Sequence, residues 1–290
     1  MSILAGSHTK VIVQGITGSA ARLHTKVMLD YGTQIVAGAR PGAAGEVVCG
    51  VPVYNTVEEA LLHHQIDASV LFVPGRVVKN AAEEALDAGI RLLVIVAERV
   101  PLHDTITIVE KAEEYGATII GPNTPGLISP PEHTKLGFVP SQYYTPGPIG
   151  VASRSGTLTY EIVSRLTSAG IGQTTCVGVG GDPIVGLSFP RTLALFEKDK
   201  DTDAILLICE IGGTMEEEVS ELVKKGKISK PIFAYIAGRT APVGKRVGHA
   251  GAIIEGNRGT IESKLQAFEG AGIPVAFTPA DVIGIARKIL

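Results

Sequence analysis

The segment Asp67–Ala97, DASVLFVPGRVVKNAAEEALDAGIRLLVIVA, carries the reading of the fold. It opens with DASVLFV and ends with Leu92–Ala97, two short runs that are apolar without alternation. Such runs suit strands buried on both faces. Between them Val77–Ala88 has helical composition, closed by Gly89, the residue type expected just past a helix end. Strand, helix and strand in this order predict a parallel pair with its crossover helix. The same rhythm extends in both directions. Lys10–Gln14 and Thr33–Gly38 are predicted strands, with a helix starting at Ser19 between them; Val57–His64 and Asp104–Tyr115 are predicted helices; Ala117–Gly121 is a further strand.

The segment Asn123–Gly147 breaks the rhythm with Pro, Gly and polar residues, and is predicted as an irregular linker over 124–147. The alternation then restarts. Ile149–Ser153, Thr174–Gly178, Asp203–Glu210, Lys230–Ile236 and Pro274–Phe277 read as strands. Gly156–Ala169, Phe189–Lys198, Met215–Lys225, Thr260–Gly270 and Pro279–Ile289 read as helices. The expectation is an α/β protein of two units, 1–123 and 148–290, each with an open parallel sheet. The chain has 290 residues, 45% hydrophobic, which is enough apolar material for two cores.

Composition narrows the function. A net charge of -3, 5% aromatic residues and no Trp argue against nucleic-acid binding, which favours a basic face or stacking platforms. Cys49, Cys176 and Cys209 are far apart and form no CxxC pair, so neither a disulfide framework nor a metal site on this chain is expected. No run reaches about 18 apolar residues, so no membrane association is expected. Met1–Lys10 has no signal or transit pattern. A cytoplasmic location is expected; the mature form of a mitochondrial matrix protein fits equally.

Ligands of open α/β sheets sit beyond the carboxyl ends of the strands, which directs attention to four loops. Gln14–Ala21 (QGITGSAA) joins the first strand and helix, and its backbone could cradle a phosphate. It is neither GxGxxG nor Walker A, and an ordinary turn with Thr17 or Ser19 as helix cap fits as well. Ala152–Thr157 (ASRSGT) is either a second anion cradle or a helix start capped by one hydroxyl. Gly178–Pro183 (GVGGDP) is a backbone-rich turn, binding or structural, with Asp182 as cap or ligand. Ala237–Gly251 (AGRTAPVGKRVGHAG) is long and carries Arg239, Lys245, Arg246 and His249. Long loops in compact domains are commonly functional. A lone His is more often structural than catalytic, but Gly248 and Gly251 leave room beside His249 for a bulky anion. The other histidines carry less: His63 and His64 are neighbours on a predicted helix and point apart, while His8, His24, His103 and His133 read as surface residues.

Taken together, QGITG at 14–18, GPNTPG at 121–126, SRSGTLTYE at 153–161, GVGGDP at 178–183 and GKRVGHAGAI at 244–253 resemble the alpha subunit of succinyl-CoA synthetase over nearly the whole chain. The resemblance implies a Rossmann-like CoA-binding domain followed by a flavodoxin-like domain that carries a phosphohistidine. It implies His249 as the phosphorylated residue and Glu210 as the group that holds its ring. It implies CoA contacts at Thr17, Gly18, Ser19 and Ala20 and at Val96, Ala97 and Glu98. It also implies the substrate carboxylate near Tyr160, and phosphate at Ser153, Arg154, Ser155 and Gly156. Ala43 stands where the family has a Lys that contacts CoA, and Arg40 is a candidate to replace its charge. Ala20 and Thr124 stand where Gln and Cys are usual.

The implied reaction joins a carboxylic acid to CoA at the expense of ATP or GTP, through phosphohistidine and an acyl phosphate. A neutral imidazole is a suitable nucleophile near pH 7. The sequence has no Walker A loop, so a beta subunit is expected to supply nucleotide and Mg²⁺. Succinate is the expected acid. Malate or another acid is the nearest alternative; a non-catalytic CoA- or dinucleotide-sensing module and an NAD(P) dehydrogenase are the others. The dehydrogenase is disfavoured by the imperfect glycine fingerprint.

Overall fold

The structure, a computed structural model, describes residues 2–239, 249–254 and 259–290, and the elements named here are those of the described residues. The first unit runs β1 (Lys10–Gln14), α1 (Ser19–Tyr31), β2 (Gln34–Ala39), β3 (Val47–Val48), β4 (Val51–Tyr54), α2 (Val57–Leu61), β5 (Ala68–Leu71), α3 (Val78–Asp87), β6 (Leu92–Ile95), α4 (Leu102–Glu114) and β7 (Thr118–Ile120). Its sheet has the order β3-β4-β2-β1-β5-β6-β7. All neighbours are parallel except the short β3–β4 hairpin. As the unbroken apolar runs predict, β5 and β6 are buried at every residue. The chain leaves β1 for β2 on one side and returns as β5 on the other, so a crevice opens above the carboxyl end of β1.

The second unit runs β8 (Gly126–Ser129), β9 (Thr134–Gly137), β10 (Pro146–Ser153), α5 (Gly156–Ser168), β11 (Gln173–Gly178), α6 (Phe189–Lys198), β12 (Ala204–Glu210), α7 (Met215–Lys224), β13 (Ile232–Ala237), α8 (Ile261–Gly270), β14 (Val275–Ala276) and α9 (Asp281–Ile289). Its sheet order is β14-β13-β12-β10-β11-β8-β9. The five strands from β14 to β11 are parallel, and the switch point lies between β10 and β12. Phe189, Phe196, Phe233 and Phe268 are fully buried in this half. Burial of such side chains contributes roughly 1.5–3 kcal/mol each.

The predicted irregular linker over 124–147 is corrected here. It contains the β8–β9 hairpin, which extends the second sheet antiparallel to β11, together with the start of β10. Its glycines are the reason that the segment reads as loop. Gly126 pairs with Gly137 across the hairpin. A Cβ on Gly126 would lie 1.8 Å from the Leu136 carbonyl oxygen, so the strands approach this closely only because the side chains are absent. The hairpin also fills the seam between the units. Thr33 Oγ1 donates to the Lys135 carbonyl at 2.8 Å, and Lys135 is itself buried, its Nζ donating to the Val139 carbonyl at 2.8 Å. Burial pulls the Lys135 ammonium down to a pKa of about 8. Among the described residues no helix is long and apolar enough to cross a membrane.

Candidate active site around His249

Glu210 is the last residue of β12, and Arg154 follows the last residue of its neighbour β10, so the switch point places both at one crevice. His249 Nδ1 lies 2.8 Å from Glu210 Oε2. This hydrogen bond raises the His249 pKa above its ordinary value, against the lowering effect of partial burial. The other Glu210 oxygen faces Arg154 Nε at 3.5 Å, an ion pair rather than a hydrogen bond. Arg154 is buried and does not point outward. Its guanidinium donates to the carbonyls of Glu210, Gly212 and Gly251, and lies 3.6 Å from Glu216 Oε1. Glu216 pairs in turn with Lys264, which also bonds Glu217; Glu216 and Lys264 are both wholly buried. Buried charges of this kind persist only when paired, and the chain Glu210–Arg154–Glu216–Lys264–Glu217 meets that condition.

The imidazole packs on Gly181. A Cβ there would lie 2.6 Å from His249 Cγ. Gly251 N donates to the Gly181 carbonyl at 2.9 Å, which fastens the histidine loop to the GVGGDP turn. His249 is part of the wall of two cavities. One, of about 400 Å³, is also lined by Glu98, Asn123 and Asp182. The other, of about 170 Å³, is lined by Thr124, Phe138, Gly156 and Tyr160. The Tyr160 hydroxyl has no hydrogen-bond partner within the described chain, and burial raises its pKa to about 12.

The remaining predicted residues divide between two places. Gly18 occupies the N-cap position of α1 with no side-chain cap, so neither Thr17 nor Ser19 caps this helix. Gly18, Ser19 and Ala20 are exposed, and Thr17 is half-buried. Arg40 lines a cavity of about 370 Å³ with Gln14, Gly15, Asn55 and Glu84 above the first sheet. Ala43 is buried and joins the core cluster, so its side chain is not part of that cavity wall. Val96 and Ala97 are half-buried after β6, and Glu98 is exposed. At the SRSG turn, Ser155 is the N-cap of α5, accepting from Leu158 N, and Ser153 Oγ donates to the Ser155 carbonyl at 2.9 Å. Both hydroxyls and the Arg154 guanidinium therefore have partners within the chain, which leaves Gly156 facing the smaller cavity. Lys245, Arg246 and Gly248 lie outside the described residues. Sequence reasoning missed Asn123, Glu216 and Lys264. Asn123 has φ 55°, a conformation uncommon outside glycine, and Glu216 and Lys264 read as ordinary helix-surface charges.

Residues 6–99 match the CoA binding domain family, and residues 152–273 match the CoA-ligase family. The succinate–CoA ligase [ADP-forming] alpha subunit 1 of Archaeoglobus fulgidus is 52% identical over 100% of this chain and 99% of its own length. An ADP-forming sulfoacetate-CoA ligase subunit from an Acholeplasma species is 47% identical over 97% of this chain and 96% of its own. The solved structure of the ATP citrate lyase of Methanosaeta concilii, in complex with (3S)-citryl-CoA, matches with TM-score 0.89 at 26% identity over 99% of this chain; this chain spans 50% of that one. With both domain families in this order and half of its residues identical over full length, the chain belongs to the family of succinate–CoA ligase alpha subunits.

Proposed function

We propose that this chain, with a beta subunit that brings ATP or GTP and Mg²⁺, joins succinate to CoA through a phosphorylated His249. The observation that carries the reading is the 2.8 Å His249–Glu210 bond at a wall shared by two cavities, one toward Glu98 and one toward Tyr160. Glu210 accepting the Nδ1 proton leaves Nε2 with its lone pair as the nucleophile. Phosphorylation of Nε2 makes the ring cationic, and Glu210 stabilises that charge. The acid carboxylate, held at the Tyr160 cavity, attacks phosphorus and releases the imidazole with an acyl phosphate. The CoA thiol then displaces phosphate.

Two features support the CoA site. The N-terminus of α1 has no side-chain cap, which suits an anion at Thr17–Ala20. The cavity at Arg40 lies above the carboxyl end of β1, where open sheets bind nucleotides. Gly156, at the start of α5, is the candidate phosphate contact, with Ser153, Arg154 and Ser155 shaping the turn. One helix terminus contributes about 0.3–1 kcal/mol to anion binding. That is too little for a doubly charged phosphoryl group, which supports a second contribution from the partner. The relatives act on different acids by name, so succinate is tested against a panel including malate and sulfoacetate. With the beta subunit and γ-labelled nucleotide, the chain should gain an acid-labile phosphate, and His249→Asn should abolish it. Labelling that persists in that variant would overturn the assignment.

A further inference from the structure

The scheme above leaves two residues of the larger cavity without a role, Asn123 and Asp182. Asn123 is held with φ 55°. Its N–H donates to the Ala97 carbonyl at 2.8 Å, and its own carbonyl accepts from Gly181 N at 3.2 Å. Its side-chain Nδ2 donates to Asp182 Oδ1 at 3.0 Å. One residue in an unfavoured conformation thus ties the end of β6 to the turn on which His249 rests. Backbone strain of this kind gathers at functional sites, where the surroundings enforce it. The result is a carboxylate in a set position. Asp182 is buried, and among the described residues no cation pairs with it. It lines the 400 Å³ cavity together with Glu98, Arg99 and His249, the other ionisable groups on that wall among the described residues. Of the two carboxylates there, Glu98 is exposed and among the described residues pairs with Arg99 at 3.6 Å, whereas Asp182 is held by the Asn123 hydrogen bond at 3.0 Å.

This arrangement matches a need of the last step. A thiol with pKa roughly 8.5 is only a few per cent ionised at pH 7. A base within reach of the sulfur removes that deficit. We propose that Asp182 is the base that takes the proton of the CoA thiol as sulfur attacks the acyl phosphate. The inference rests on the ligase reading above. The S–H proton passes to Asp182 Oδ2, which has no hydrogen-bond partner among the described residues, and the sulfur pair forms the C–S bond. The C–O bond to phosphate breaks with its electrons on phosphate, which then takes the proton or passes it to water. Burial raises the Asp182 pKa, with the Asn123 hydrogen bond and the neighbouring His249 opposing, so its basicity exceeds that of a solvated carboxylate.

The test uses the complete complex with its beta subunit and compares Asp182→Asn and Glu98→Gln with the unsubstituted enzyme. Three amounts are followed: phosphohistidine formed from nucleotide, acyl phosphate trapped with hydroxylamine, and CoA thioester. Asp182→Asn should retain the first two and lose about 10²-fold in thioester formation at neutral pH. The loss should shrink as pH rises through the thiol's own pKa, roughly 8.5. Glu98→Gln should raise KM for CoA without that pH dependence. The proposal is overturned if Asp182→Asn forms thioester at the unsubstituted rate. It is also overturned if phosphohistidine falls by the same factor, or if Glu98→Gln shows the pH-dependent loss instead. No phosphohistidine in the unsubstituted complex would refute the ligase reading itself, and this proposal with it.

Discussion

Gly181→Ala should uncouple His249 from Glu210 without unfolding the protein. Gly181 does not have a left-handed φ, so alanine is compatible with its backbone and only the added methyl matters. That methyl would lie 2.6 Å from Cγ, 2.7 Å from Cδ2 and 3.0 Å from Nδ1 of the His249 ring. Carbon contacts relax at about 3.5–4.0 Å, so the ring must retreat by about 1 Å. The Nδ1–Oε2 distance is 2.8 Å. The same retreat carries it beyond the roughly 3.2 Å limit of a hydrogen bond. A hydrogen bond to a charged group contributes about 1.5–3 kcal/mol, so phosphorylation of His249 should slow by about 10- to 150-fold. The assay is rapid-quench phosphorylation in a single turnover. Overall stability should fall by less than about 1.5 kcal/mol, because the half-buried ring can move into the adjoining cavity. Combining Gly181→Ala with Glu210→Gln should add little further loss, since both remove one bond. Phosphorylation at the unsubstituted rate, or fully additive losses, would refute the reasoning.

The remaining expectations concern the charges around the site. Lys264→Met leaves Glu216 buried with only the more distant Arg154 as counter-ion, and should cost about 3–5 kcal/mol in urea unfolding. Adding Glu216→Leu should recover part of that loss; an effect of Lys264→Met below about 1 kcal/mol would contradict the pairing. Tyr160→Phe removes a hydroxyl with no partner among the described residues, so stability should change by less than about 0.5 kcal/mol while KM for the acid rises. An unchanged KM would remove Tyr160 from the acid site. The His249 pKa is raised mainly by its bond to Glu210, so the protonated pair stabilises the fold fully below the unfolded value of about 6.5. That contribution is lost as pH rises through the folded value. The unfolding free-energy difference between the native chain and His249→Asn should therefore shrink as pH rises from about 6.5 through the raised folded value. A difference that grows with pH would show the sign to be wrong.

Much of this architecture is legible residue by residue. The largely apolar runs at Ala68–Leu71, Leu92–Ile95 and Ala204–Cys209 are buried at every position, as period and composition imply. Phe189–Lys198 forms a helix over the predicted span. The family resemblance names His249, Glu210 and Tyr160; His249 and Tyr160 line one cavity, and Glu210 bonds the His249 ring. These features depend on neighbours in the chain, whose periods and turn residues are written locally. The β8–β9 hairpin is different. Its Pro and Gly content signals a loop, and only the approach of Gly126 to Gly137 shows why those glycines belong in a sheet. The direction of Arg154 is also a tertiary outcome. A serine-rich turn before a helix suggests an outward anion cradle, but buried Glu216 and Glu210 draw the guanidinium inward. Asn123 and Asp182, 59 positions apart in sequence, meet because a left-handed residue aims one at the other. Local pattern thus determined which segments become strands and helices and which loops carry chemistry. The partners of each buried charge were decided only when the sheets packed, because an unpaired charge costs little in water and several kcal/mol inside a core.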